Sequence, residues 1–178
     1  MSLLRFLGLD SKGERAARGG ETETVRRIAA RLERLEPATA KYLAAFAYVL
    51  ARVAHSDLRI YTSENEEMLR VVRGLADLSD EEAALAVEIA KSQARLLGGT
   101  ENYVVTREFG RIATPEQRAA LLQCLYAIAA ADGSISSLES AEIDVIADEL
   151  GFSRPEALAL RSAWRDKLAV LRGLPKPG

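Results

Sequence analysis

The sequence is poor in the residues that build most small catalytic and metal sites. Its 178 residues include one cysteine, Cys124, and one histidine, His55. A single cysteine excludes an internal disulfide and a multi-cysteine metal site, and a single histidine excludes sites that need two. The sequence also contains no GxGxxG, no P-loop and no GxSxG motif. We therefore expect a protein that is not an enzyme.

Long apolar runs and a strong charge of one sign are missing too. The longest apolar run, Leu43–Ala51, ends at Arg52 and is too short to span a bilayer. The N-terminal residues Met1–Leu9 do not have the pattern of a signal peptide, so we expect a cytoplasmic protein. The net charge of -2 argues against binding to nucleic acid.

The composition that remains is that of a globular protein, with 48% apolar and 28% charged residues, which excludes wholesale disorder. Residues 1–20 divide into the apolar patch Met1–Leu9 and a polar, glycine-bearing linker. The patch suggests a weak peripheral contact with a membrane or a partner, although an ill-ordered terminus is the simpler interpretation. Residues 21–178 are predicted to form one domain.

Helical signals recur along this domain. Four segments have the capping-box pattern, in which a Ser or Thr precedes a Glu or Gln by three residues: Ser79–Glu82, Thr114–Gln117, Ser136–Glu139 and Ser153–Glu156. Glycines at 98–99, 151 and 173 suit helix C-termini. We predict helices near 22–35, 37–56, 62–76, 80–97, 101–112, 115–131, 137–150 and 154–172. The fold class is therefore all-α, a compact bundle of about eight helices.

The sequence also resembles itself at an offset of 75 residues. At that offset an apolar helix is followed by Asp-x-x-Ile-x-x-x-Glu-x-x-Glu, first in Asp57–Glu67 and again in Asp132–Glu142. Alanine and leucine positions match as well, but the acidic and isoleucine positions are the more informative. A repeat of this length predicts two pseudo-repeated helical units, related by a pseudo-two-fold axis.

The acidic positions of this motif are candidate metal ligands. Helical phase predicts that each motif directs three carboxylates toward the inner end of a helix pair. Residues 132–149 contain six acids and no Lys, Arg or His, so a positive charge from elsewhere must compensate. Oxygen ligands favour Ca²⁺, Mg²⁺ or Mn²⁺ over Zn²⁺. The predicted ligands are Asp57, Glu64, Glu67, Asp132, Glu139 and Glu142.

The same residues carry a family resemblance. The stretch Leu122–Ile143, with Ala-Asp-Gly-Ser-Ile-Ser-Ser-Leu-Glu at its centre, and Leu150-Gly-Phe after it, resembles the tellurite-resistance TerB-like family. The stretch Ala54–Glu64 resembles the family's first motif, with Leu58 in place of the turn glycine. The resemblance covers about residues 24–172. It implies an all-helical fold, an acidic surface that binds a divalent metal, and a role in resistance to stress or toxic oxyanions.

Other interpretations stay open at this point. Glu139 also fits a plain capping box, and the acids could form a docking face. The main alternative is a metal-free helical adaptor that binds a protein partner through an acidic surface or an apolar groove. His55 is expected to be an exposed helix residue, and Cys124 a small buried one.

Overall fold

The computed structural model describes residues 19–56, 62–94 and 102–168. These residues form eight α-helices, here α1 to α8, and no β-strand beyond one isolated bridge. The helices are Gly19–Glu33, Pro37–Ser56, Thr62–Leu75, Asp80–Ala94, Asn102–Ile112, Pro115–Ala129, Ser137–Glu149 and Arg154–Ser162. The predicted all-α fold is confirmed. The predicted terminal patch Met1–Leu9 lies outside the described residues.

Helix α2 lies at the centre of the bundle, where it packs against α1, α4, α5, α6 and α7. Every residue from Leu43 to Val53 is buried. A helix that is apolar on every face must be surrounded by other helices, and burial of each large apolar side chain contributes about 1.5–3 kcal/mol. Phe46 packs on Phe109 of α5, with ring centroids 6.1 Å apart. None of the described helices, α2 included, is long and apolar enough to cross a membrane.

The four predicted capping boxes are all present and set where helices begin. In the box before α6, the Thr114 hydroxyl accepts a hydrogen bond from the Gln117 amide, while the Gln117 side chain accepts one from the Thr114 amide. The same reciprocal pair occurs before α4, α7 and α8. Each box satisfies two amides that the first helical turn leaves without a partner. At the end of α7, Gly151 has a φ of +84°, the left-handed conformation expected of a C-terminal glycine.

The last helix is shorter than predicted. Helix α8 ends at Ser162, not near residue 172, and is followed by a short 3₁₀ turn at Arg165–Lys167. Tertiary contacts cause the difference. The indole of Trp164 stacks on Tyr126 and donates a hydrogen bond to the Gln123 side chain. The chain then turns extended at Leu168, which is buried and forms a parallel bridge with Ile135.

The helix that precedes each motif packs on the helix that carries the other motif. Helix α2 precedes the first motif and packs on α7, while α6 precedes the second motif and packs on α3. Helices α3 and α7 begin at Thr62 and Ser137, which are 75 residues apart, the offset found in the sequence. A two-fold relation between two units would give this exchange of partners. The two-unit repeat itself stays a prediction.

Candidate functional site

The turn of the second motif joins α6 to α7. Asp132 is exposed, and its Oδ1 accepts a hydrogen bond from the Ser134 amide 3.1 Å away. Gly133 has a φ of +100°, a conformation that glycine adopts without steric cost. The inward orientation predicted for Asp132 is wrong, because the residue follows the end of α6 and helical phase no longer applies there.

The two glutamates of this motif face inward, as predicted. Glu139 is buried, and its Oε2 accepts a hydrogen bond from the Ser136 amide at 2.8 Å. This bond forms half of the capping box at the start of α7. Glu142 lies one turn further along the helix and is half-buried. The motif thus combines one exposed carboxylate with two that are partly or fully withdrawn from water.

The positive charge that the sequence requires comes from Arg52, in the central helix α2. Its side chain is only 4% exposed. The guanidinium binds Glu142 through Nε at 2.9 Å and Nη2 at 2.7 Å, and binds Glu149 and the Thr106 hydroxyl through Nη1. A charge this deeply buried needs such partners, since removing one side of a buried pair costs about 3–5 kcal/mol.

In the sequence, Arg52 marks the end of an apolar run, and its position carries a stronger signal than that. Arg52 follows Leu43–Ala51 in a helix whose faces are all apolar, so no exposed face remains for the guanidinium. A buried arginine implies partner carboxylates, and the cation-free stretch 132–149 supplies them.

The first motif is described only in part. Asp57 lies outside the described residues. Glu64 lies within the bounds of α3, but its side chain is outside the described part of the chain. Glu67 is half-buried and pairs with Arg70 on the same helix. The guanidinium of Arg70 lowers the pKa of Glu67 below its usual value, chiefly through this hydrogen bond.

Among the described residues, no group of three or more His, Cys, Asp or Glu side chains is placed to hold a metal ion. The structure brings Glu142 and Glu149 together on Arg52, while Asp132 lies in the turn before α7 and Glu139 lies in the first turn of that helix. Their oxygen donors suit a hard divalent cation. The described carboxylates alone do not complete such a site, and the remaining predicted ligands are Asp57 and Glu64.

The sequence analysis also predicts the surroundings of Cys124 and His55, and the structure describes the side chain of Cys124 only. Cys124 is fully buried, as predicted, and burial raises the pKa of its thiol to about 12. It therefore stays protonated and unreactive in the folded protein. His55 lies in α2, but its side chain is outside the described part of the chain.

Comparison with known proteins gives one match. A family model described as "Tellurite resistance protein TerB" matches residues 43–162, a stretch that contains both acidic motifs, Arg52 and helices α3 to α8. Searches of curated proteins and of solved structures returned no match.

Proposed function

Because this chain belongs to the tellurite resistance protein TerB family, we propose that it acts in a tellurite-resistance-type stress response by binding a divalent cation through its acidic motifs. The observation that carries the proposal is the duplicated motif itself. The family match spans both copies, Asp57–Glu67 and Asp132–Glu142. We propose a binding role in the cytoplasm and no catalysis, since the sequence contains no recognisable catalytic motif.

Two of the proposed ligands already form ion pairs within the chain. Glu142 and Glu67 are engaged by Arg52 and Arg70, so a cation would have to displace an arginine to reach them. Asp132 is the most exposed of the described acids of the two motifs, and its carboxylate can accept more than the one backbone hydrogen bond that it receives. We propose Asp57, Glu64, Glu67, Asp132, Glu139 and Glu142 as the ligand set, with Asp132 the most accessible of those that the structure describes. Ca²⁺, Mg²⁺ and Mn²⁺ are favoured over Zn²⁺.

Thermal unfolding of the metal-stripped protein, with each cation added in turn, tests this proposal. A cation that binds only the folded state, at 100 times its dissociation constant, adds about 2.7 kcal/mol. For a chain of this size the melting temperature should rise by roughly 5–10 °C. The rise should disappear in the double variant Asp132→Asn, Glu139→Gln if the second motif is the site.

The matched control is Asp148→Asn, an exposed acid on the same helix α7 outside the motif. It should keep the full cation-dependent shift. The same shift in the double variant and the control would reject Asp132 and Glu139 as ligands. No shift with any cation in the parent protein would reject metal binding altogether.

A metal-free adaptor is the second candidate, and the internal pairing of the acids favours it. Glu67, Glu139 and Glu142 each already have a partner within the chain. In this case the acidic surface would dock a protein partner. Two results together would favour this function over metal binding. One defined partner would be recovered equally with and without a chelator, and no cation would raise the melting temperature.

A further inference from the structure

Helix α7 exposes three apolar residues on one face. Leu138 is 72% exposed and Val145 is 48% exposed, and Ala141 between them is exposed as well. Spacings of three and four residues place them in a row along the helix, here called the α7 stripe. A single exposed apolar residue needs no explanation, whereas a row of them on one face of a helix is a candidate contact surface.

The surroundings of the α7 stripe are acidic. Helix α7 contains five acids and no Lys or Arg, and two arginines from other helices pair with it, Arg52 and Arg161. An occupant of this surface should therefore combine apolar side chains with positive charge.

After α8 the chain passes beside the residues that lead into α7. The Ile135 amide donates a hydrogen bond to the Lys167 carbonyl at 2.8 Å, and Ile135 and Leu168 form a parallel bridge. In a parallel bridge the two strands run the same way, so the direction of the chain at Leu168 matches that of Ile135 toward Ser136 and Leu138. Leu168 is buried, which fixes the point from which the following residues depart.

The sequence that follows Leu168 combines apolar and basic residues, as an occupant of the α7 stripe should. Residues 169–178 read AVLRGLPKPG, with apolar Val170, Leu171 and Leu174, basic Arg172 and Lys176, and no acid. Six extended residues reach about 20 Å, whereas the α7 stripe is about 10 Å long at 1.5 Å per helical residue. The length is sufficient to cover the stripe.

We propose that residues 169–176 dock on the α7 stripe of the same chain. Val170, Leu171 and Leu174 would cover Leu138, Ala141 and Val145, and Arg172 and Lys176 would face the acids of α7. The proposal does not depend on metal binding.

Disulfide trapping in the full chain tests it. In the double variant Ala141→Cys, Leu171→Cys, mild oxidation should produce an intramolecular disulfide, identified by intact mass and peptide mapping. The matched control is Ala159→Cys, Leu171→Cys, since Ala159 is an exposed alanine on α8. A docked segment should make the first disulfide form at least about tenfold faster, because docking raises the effective concentration of one thiol near the other. The buried thiol of Cys124 does not compete.

A third variant adds Val145→Ser and Leu138→Ser to the first pair. These exposed positions do not support the core, and circular dichroism checks that helix content is retained. The disulfide rate should fall to that of the control. Equal rates in the first two variants would overturn the proposal, as would a disulfide formed between two chains, which would identify a second copy as the occupant.

Discussion

Glu67 and Glu142 occupy the same position in the two motifs, yet their surroundings differ. Glu142 binds Arg52, whose side chain is 4% exposed and comes from the central helix α2. Glu67 binds Arg70, whose side chain is 75% exposed and lies three residues further along the same helix. One carboxylate helps to neutralise a charge inside the bundle, and the other belongs to a surface pair.

The positions of the arginines explain the difference. At the offset of 75 residues, Arg52 corresponds to Ala127 and Arg70 to Val145. Each glutamate therefore has one arginine partner. The partner of Glu142 comes from another helix, whereas the partner of Glu67 comes from its own helix. A shared acidic motif thus does not imply a shared role, because the role depends on residues outside the motif.

The largest expected effect comes from removing the buried cation. The variant Arg52→Met keeps the apolar stem and leaves Glu142 and Glu149 without their partner, so unfolding in urea should show a loss of about 3–5 kcal/mol. The matched surface variant Arg70→Met should have a much smaller effect on the free energy of unfolding, because an exposed ion pair contributes little to stability. Similar losses in both variants would contradict the contrast between the two pairs.

A second variant separates charge from packing at the same position. Adding Glu142→Gln and Glu149→Gln to Arg52→Met removes the unpaired charges, so a large part of the lost stability should return. No recovery would show that the arginine acts mainly through the packing of its stem.

An intermediate effect is expected at the turn, where the second motif has Gly133 and the first has Leu58. Gly133 has a φ of +100°, and a Cβ there would meet open space, so the cost of Gly133→Ala is backbone strain of about 1–2 kcal/mol. The control Gly74→Ala lies within helix α3, also in open space, and should stabilise the protein by up to about 1 kcal/mol. Urea unfolding measures both, and equal signs would contradict the assigned conformations.

The smallest effect is expected at Glu67, and it depends on pH. Because Arg70 lowers the pKa of Glu67 in the folded state, the pair contributes stability above the ordinary pKa of the carboxyl and loses it as pH falls through the lowered value. Glu67→Gln should therefore cost a few tenths of a kcal/mol at neutral pH and low salt, and nothing once the carboxyl is protonated. A cost that persists in strong acid would show that the charge is not its source.

The fold could be read from the sequence to the extent that local signals define it. The capping boxes at Ser79, Thr114, Ser136 and Ser153 placed four helix starts, because their hydrogen bonds span only three residues. The end of α8 was not predictable in this way, since it depends on the contact of Trp164 with Tyr126. Helical phase correctly oriented Glu139 and Glu142 but not Asp132, which lies beyond the helix.

The acids of the candidate site could be predicted from the sequence, but the arginine that neutralises two of the acids on α7 could not. Arg52 is separated from Glu142 by 90 residues and from Glu149 by 97. No local pattern connects such positions, and only the argument from burial suggests that they meet. The metal ligands of the first motif stay a prediction, since Asp57 and the side chain of Glu64 lie outside the described residues.

The separation between Arg52 and its partners also has a consequence for synthesis on the ribosome. Helix α2 leaves the ribosome early, while Glu142 and Glu149 are added about ninety residues later. Until they emerge, α2 cannot be fully enclosed without burying an unpaired guanidinium, which is costly. The nascent N-terminal half should therefore keep part of α2 exposed, a state that is prone to aggregation and to capture by chaperones. Completion of α7 is then the event that allows the central helix to close.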